Sequence, residues 1–216
     1  MTAPCCASPL RPLVRRLDHA TDALALFRAL TQDGRRPHTL LLESADPERR
    51  SVRRSVLVLS AALSVTCRGD RVTLAPLHAD GARLLSLLTD RLTERLAQHA
   101  CECETLGTGE LVLRCPRPPM HATDRDRLRA PSVLTPLREL LGCLATEPSE
   151  PPEAICLPGL FAYDLVEQFE HLPPRPATDA DVPDYRVYLA DRLVVVDHQA
   201  RRTEVIALAA GGADAA

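Results

Sequence analysis

The stretch SVLVLSAALSVTCRGDRVTLAPL, residues 55–77, decides the fold class because it reads as two strands joined by a tight turn. Apolar residues alternate with small or polar ones around 63–65 and again around 72–74. A period of two residues is typical of strands that bury one face. The triplet RGD at 68–70 separates the two halves, and glycine beside aspartate favours a turn. The sequence therefore predicts a β-hairpin.

Helical periodicity flanks this hairpin. Residues 17–37 space apolar side chains three and four apart, over about three turns, before an Asp33-Gly34 pair that is typical of a helix end. Residues 80–99 and 131–148 predict two further helices, the last with Pro136 near its first turn, where a missing N–H costs little. The side chains expected to be buried are Leu24, Leu26, Phe27 and Leu30 in the first helix, and Leu84, Leu85, Leu87, Leu88, Leu92 and Leu96 in the second.

More strands are predicted along the chain. ELVLRCPRPP (110–119), AICLPGLFAYDLV (154–166) and RTEVIALAA (202–210) each predict one, and DYRVYLADRLVVVDHQ (184–199) predicts two stretches joined near Ala190 and Asp191. Strands and helices do not alternate regularly, as they do in doubly wound folds. The expected fold class is α+β, a mainly antiparallel sheet with packed amphipathic helices.

Composition limits the class of protein. The 216 residues carry a net charge of only −3, with acidic residues between the arginines, which excludes a broad basic surface for nucleic acid. The uncharged stretch 55–67 is too short and too serine-rich to span a membrane, and no signal peptide is visible, so a cytoplasmic protein is expected. The eight cysteines are then expected to be free thiols, and CECE at 101–104 an ordinary surface segment.

The stretch HTLLLESAD, residues 38–46, contains the first candidate site. If TLLL is a buried inner strand, Glu43 and Ser44 emerge at its end, where a small ligand can supply missing contacts. The carboxylate of Glu43 suits an ammonium group, and the Ser44 hydroxyl can both donate and accept, so the pair suits an amino acid. A serine before Ala-Asp is also a common helix N-cap, and that alternative remains open.

Two other groups of residues carry weaker chemical hypotheses. The first group is three carboxylates spaced three residues apart, Asp164, Glu167 and Glu170. On a helix they would share one side, where two of them could act as an acid/base pair. The preferred interpretation is that they form a solvated helix face. The second group is Asp197 and His198, which follow a predicted strand. The aspartate could tune the histidine for catalysis. The preferred interpretation is a polar turn that caps the strand end. A hydrolase built on Asp164 or His198 is therefore a remote alternative.

Three stretches in order, HTLLLESAD, GLFAYDLVEQFEHLP (159–173) and PDYRVYLADRLVVVDHQ (183–199), resemble the N-terminal region of anthranilate synthase component I. The resemblance implies that the LLES motif lies in the feedback site for L-tryptophan, with Ser44 as a principal contact and Glu43 and Leu42 beside it. It divides the chain into an N-terminal extension (1–20), a tryptophan-sensing domain (21–208) and a flexible tail (209–216).

That family converts chorismate to anthranilate with ammonia from a glutamine amidotransferase partner and with Mg²⁺ on the substrate. The resemblance implies that these catalytic residues lie in a C-terminal portion absent from this chain, so no cofactor and no catalysis are expected here. Surface that packs on that portion is then expected to be apolar and exposed, within GLFAYDLVEQF (159–169). Two alternatives are the matching region of aminodeoxychorismate synthase component I and a module that holds an amidotransferase subunit without sensing tryptophan.

Overall fold

The computed structural model describes residues 10–43, 54–117, 123, 125–126, 130–144, 152–170 and 182–210. It confirms the α+β class, because nine strands and the packed helices occupy most of these residues and the pairings of known register are antiparallel. The strands are β1 (Leu10–Asp18), β2 (Leu40–Glu43), β3 (Arg54–Arg68), β4 (Arg71–Pro76), β5 (Glu102–Thr105), β6 (Leu111–Arg114), β7 (Gly159–Phe161), β8 (Tyr185–Asp197) and β9 (Arg202–Ala210). The α-helices are α1 (Ala23–Thr31), α2 (Ala79–Ala97) and α3 (Thr135–Leu144), and two 3₁₀ helices cover Pro152–Ala154 and Tyr163–Gln168.

The chain divides into two compact units. Unit 1 takes its described residues from Met1–Ala62, Leu144–Pro158 and Tyr188–Ala216, and unit 2 takes them from Leu63–Cys143 and Gly159–Val187. The long strands β3 and β8 each contribute residues to both units.

Unit 1 is built on a sheet in which β1, β9, β8 and β3 are neighbours and β2 pairs with β3. Its core has two parts, each formed by aliphatic side chains of β3, β8 and the elements that cover them. One part includes Val58, Leu193 and Ile206, and the other includes Leu57 and Val196, against which Phe27 of α1 packs. Burial of such side chains contributes about 1.5–3 kcal/mol each.

Unit 2 contains the predicted hairpin. The pair Arg68 and Arg71 closes it, and Gly69 takes a φ of 61° that suits glycine in a tight turn. The carboxylate of Asp184 accepts a hydrogen bond of 2.7 Å from the Gly69 N–H, which holds the turn. Strands β4, β6 and β5 continue the sheet, and α2 packs against β4 and β5.

The helix predictions are correct in position and partly wrong in burial. Asp22 caps α1 by accepting from the Ala25 N–H at 2.8 Å, and Gln32 ends it in the left-handed region. Leu24 and Leu30 are exposed, whereas Ala23 and Thr31 are buried. On α2 the leucine stripe is buried as expected except for Leu87, which is 54% exposed, because it lies at the margin of the buried face.

Two strand predictions are wrong. Strand β8 runs without a break through Ala190 and Asp191, both buried, so the expected joint is absent. Of residues 154–166 only Gly159–Phe161 form a strand, and the segment after it is a 3₁₀ helix. Two strands were not predicted: β5, and β1, which lies inside the expected N-terminal extension 1–20. Strand β9 continues to residue 210, into the expected tail 209–216. The rest of that tail is outside the described residues.

Candidate functional site

The end of β2 carries two of the three residues proposed to contact a ligand. Leu42, 43% exposed, and Glu43 are accessible, whereas Ser44 lies outside the described residues. Within the described part of the chain β2 pairs with β3 alone, and its first two residues are half-buried. The expectation of a buried inner strand is therefore wrong: the short strand lies beside the main order of the sheet, so its end is open to solvent.

The carboxylate of Glu43 is held by a buried serine on the neighbouring strand. Glu43 lies directly opposite Ser55 in the β2–β3 register, and the Ser55 hydroxyl donates to Glu43 Oε1 at 3.2 Å. The same Ser55 oxygen lies 2.9 Å from Nε2 of His198. Because a hydroxyl has one proton and the carboxylate takes it, His198 Nε2 must be the donor in the second bond. The chain of donors therefore runs from His198 through Ser55 to Glu43.

A second histidine lies against His198. The ring of His19 meets it edge to face, with 5.5 Å between centroids. Both ring nitrogens of His19 are buried and have no hydrogen-bond partner among the described residues. His19 is held in place by its neighbour Ala20, whose N–H donates to Thr203 Oγ1 at 2.9 Å. A polar cluster of Glu43, Ser55, His198 and His19 thus lies behind the end of β2.

An ion-pair network fixes the start of β3 beside the end of β8. Arg54 donates from Nη1 to Glu153 at 2.6 Å and from Nε to Asp197 at 3.3 Å. The hydrogen bond to Glu153 is the main reason that the pKa of Arg54 is raised. Asp197 also accepts from the N–H groups of Gln199 and Ala200. This geometry supports the polar-turn interpretation of Asp197 and His198, because the carboxylate caps the turn after β8 and does not contact the imidazole.

Asp197 is expected to make stability depend on acid pH. The Ala200 N–H, followed by the Arg54 charge, lowers its pKa below the ordinary 3.8. The stabilisation is therefore fully present above pH 3.8 and is lost as the pH falls through the lower folded-state value. We expect urea unfolding between pH 6 and pH 3 to show a smaller loss of stability in Asp197→Asn than in the unmodified chain. An equal loss in both proteins would assign the acid sensitivity to other carboxylates.

The other predicted carboxylates lie in unit 2. Asp164 and Glu167 share one side of the 3₁₀ helix, which has three residues per turn, and Glu170 follows its end. Glu167 and Glu170 are exposed, as expected for a solvated face.

The cysteines of CECE are free thiols. Their surface placement is wrong for Cys101, which is 6% exposed, while Cys103 is half-buried. A hydrogen bond with the Cys115 thiol lowers the pKa of Cys101 and raises that of Cys115. Among the described residues no three His, Cys, Asp or Glu side chains come together to hold a metal ion.

Sequence reasoning missed Ser55 and His19. Ser55 follows Glu43 by 12 residues, and only the antiparallel register places the two side chains together. His19 was placed in the extension, and His198 was considered only with Asp197. The usable signal was Ser55, a polar residue directly before the apolar residues 56–59 of β3.

Comparisons with known proteins give a consistent relationship. The chain is 42% identical over 182 residues to "Anthranilate synthase component 1" of Salmonella typhimurium, covering 84% of this chain and 33% of the relative. It is 40% identical over 183 residues to the protein of the same name in Escherichia coli, and 37% identical over 192 residues to that of Vibrio cholerae. The Escherichia coli match covers 84% of this chain and 33% of the relative. The Vibrio cholerae match covers 89% of this chain and 35% of the relative. The expected resemblance is confirmed.

No family model matches the chain. The chain spans about one third of the length of the curated relatives it matches. Among the helices of the described residues, none is long and apolar enough to cross a membrane.

Proposed function

We propose, from this relationship to about one third of anthranilate synthase component 1, that the chain is the tryptophan-sensing N-terminal portion of such a component. Leu42, Glu43 and Ser44 form part of its feedback site for L-tryptophan. The chain is not catalytic alone: chorismate, Mg²⁺ and the conversion to anthranilate belong to the remaining portion, and a glutamine amidotransferase component supplies ammonia. The protein acts in the cytoplasm.

The observation that carries this proposal is the oriented carboxylate at the open end of β2. Glu43 is exposed, yet its carboxylate accepts a hydrogen bond from a serine that is only 2% exposed. A carboxylate held in this way can receive the ammonium group of an amino acid with less loss of side-chain freedom on binding. Ser44, the next residue, then has the hydroxyl that the ligand carboxylate requires.

His198 and Ser55 orient the Glu43 carboxylate from behind the site. A donor in His198 keeps the Ser55 hydroxyl directed at Glu43, and so His198 acts on the ligand only through Ser55 and Glu43. Ser55 and His198 are therefore positioning residues for tryptophan binding.

Removal of the Ser55 hydroxyl is expected to weaken tryptophan binding. In Ser55→Ala the Glu43 carboxylate loses its buried donor, worth about 1 kcal/mol, so Kd should rise by about fivefold. Ser60→Ala on the same strand is the matched control, because Ser60 is half-buried and donates no hydrogen bond to Glu43. Calorimetric titration with L-tryptophan measures both. Equal affinity in the two variants would remove Ser55 from the site.

An exposed apolar surface supports the proposed assembly with the remaining portion. Leu160, Phe161 and Tyr163 are 76%, 54% and 87% exposed, which confirms the expected exposure within residues 159–169. Large apolar side chains at neighbouring positions are typical of a surface that a partner covers. We assign this surface of unit 2 to contact with the remaining two thirds of component 1.

Reconstitution tests the proposed function. The chain is mixed with the remaining portion of the Salmonella typhimurium relative, and anthranilate formation from chorismate and ammonia is followed by its fluorescence. We expect activity only in the mixture, and inhibition of that activity by L-tryptophan. Feedback requires tryptophan to bind one arrangement of the two portions better than another. Activity that is indifferent to tryptophan would favour a non-sensing assembly module, and no activity in the mixture would contradict the assembly itself.

A further inference from the structure

A second candidate site lies in unit 2, on the outward face of the hairpin. An open pocket of about 330 Å³ is formed there by alternate residues of β3 and β4 together with one residue each from β8 and the segment before β6. Its lining consists of Ser64, Thr66, Arg68, Arg71, Thr73, Ala75, Glu110 and Arg186. We call it the arginine pocket. Its residues are separate from the end of β2.

The register of the hairpin arranges this lining in three rows. Arg68 is opposite Arg71, Thr66 is opposite Thr73, and Ser64 is opposite Ala75. Successive rows are two residues apart, about 7 Å along the strands. The third arginine, Arg186 of β8, donates from Nε to Thr66 Oγ1 at 3.3 Å, which places it at the middle row. Positive groups therefore occupy one end and one side of the pocket.

Like charges face each other at the arginine end. Arg68 and Arg71 are both exposed and directly opposite across the hairpin, and Arg71 is in turn opposite the exposed Arg114 of β6. Glu102 of β5, which is opposite Arg114, faces the outer arginine of this row. Directly opposed like charges on neighbouring strands are destabilising, and an anion between Arg68 and Arg71 would be attracted to both, which would offset their mutual repulsion.

The carboxylate in the lining lies at the other end. Glu110 directly precedes β6, one position beyond the Leu74–Leu111 pair, and so it is beside Ala75. That level is four residue steps along β4 from Arg71, about 13 Å. Glu110 also accepts a hydrogen bond from Thr108 at 3.2 Å. The pocket is thus polarised, with guanidinium and hydroxyl donors together and the acceptor apart from them.

We propose that the arginine pocket binds a small phosphate-bearing ligand. The phosphate oxygens lie between Arg71, Arg68 and Arg186, because guanidinium groups give paired hydrogen bonds to phosphate. The hydroxyls of Thr66 and Thr73 donate to the same group from the floor of the middle row. A hydroxyl or amino group of the ligand faces Glu110. The reasons for this site are independent of tryptophan sensing.

Pyrophosphate is the probe that tests the site. Calorimetric titration of the 216-residue chain is expected to give saturable binding, and thermal unfolding is expected to show stabilisation above that of sodium chloride at equal ionic strength. Arg71→Gln and Arg186→Gln should each raise Kd by about tenfold or more, because each removes a charged donor. Arg71→Lys keeps the charge but not the paired donors, so its Kd for pyrophosphate should lie between those of Arg71→Gln and the unmodified chain.

Arg15→Gln is the matched control, since Arg15 is an exposed strand arginine of unit 1. It should bind pyrophosphate as the unmodified chain does. The unfolding midpoints without ligand identify any variant whose fold is damaged. Arg71→Gln and Arg186→Gln change different strands, so each tests pyrophosphate binding independently of the other. The proposal would be overturned if pyrophosphate stabilised the chain no more than chloride does. It would also be overturned if both glutamine variants bound pyrophosphate as tightly as the unmodified chain. Tighter binding of citrate than of pyrophosphate would overturn the assignment to phosphate.

Discussion

Replacement of Ser44 by phenylalanine is expected to abolish tryptophan feedback while anthranilate formation by the reconstituted component continues. The phenyl ring would occupy the space next to Glu43 where we place the ligand, and it would remove the hydroxyl. Overpacking a fitted site and losing a donor to a charged group each cost about 1–3 kcal/mol, so tryptophan affinity should fall by at least about thirtyfold.

Two controls accompany this variant. Ser44→Ala removes only the hydroxyl and should weaken inhibition by about tenfold. Activity without tryptophan reports whether Ser44→Phe still folds and assembles. Inhibition that persists in Ser44→Phe at the same tryptophan concentration would show that Ser44 does not contact the ligand.

The second large effect is expected at Gly159, the first residue of β7. A Cβ added there would lie 2.5 Å from the Cα of Val187, and it would also collide with the Arg186 carbonyl oxygen. Both atoms belong to the backbone of β8, so relief requires β7 to move away from its partner strand. We expect Gly159→Ala to destabilise unit 2 by about 1–3 kcal/mol or more, measured by urea unfolding.

Hydrogen exchange locates the damage in this variant. The Ala162 N–H donates to Asp184 O at 2.8 Å beside the β7–β8 pairing, and this amide should lose protection in Gly159→Ala. Gly107→Ala is the matched control, because a Cβ at Gly107 meets no atom within 4 Å, and its effect should stay within about 0.5 kcal/mol. Similar unfolding of both variants would mean that β7 does not pack against β8 so closely.

Gly159→Ala also bears on assembly. Leu160 and Phe161, the residues that follow, present part of the exposed apolar surface, and β7 holds them in place. Displacement of β7 should therefore lower the affinity for the remaining portion of component 1.

Local chemistry explains which elements the sequence predicts well. The hairpin is encoded by alternation and by a glycine that takes positive φ at the turn. The α2 helix is encoded by leucines at helical spacing. Strand β1 has no comparable local pattern: most of its side chains are exposed, and it is ordered by pairing with β9, about 190 residues later. Asp191 in the middle of β8 suggested a turn, but the sheet buries it within one strand.

The candidate site shows the same division. Exposure of Glu43 at a strand end was predictable from the change from apolar to polar residues in HTLLLESAD. Its hydrogen bond with Ser55 depends on strand register, and the bond between Ser55 and His198 joins residues 143 apart. Such contacts have no local sequence signature. The arginine pocket was missed for the same reason, because Arg186 reaches Thr66 from a strand 120 residues away.

Titration with L-tryptophan measures whether this chain and the remaining portion of component 1 bind the amino acid together. The chain contains no tryptophan and only three tyrosines, so it adds little of its own to the emission of the added ligand. The titration is made with the chain and the remaining portion of component 1 together, with each alone, and with Ser44→Phe in place of the unmodified chain. We expect saturable binding in the mixture, and we expect Ser44→Phe to remove it. No saturable binding in an assembled mixture, or equal binding by the remaining portion alone, would contradict it.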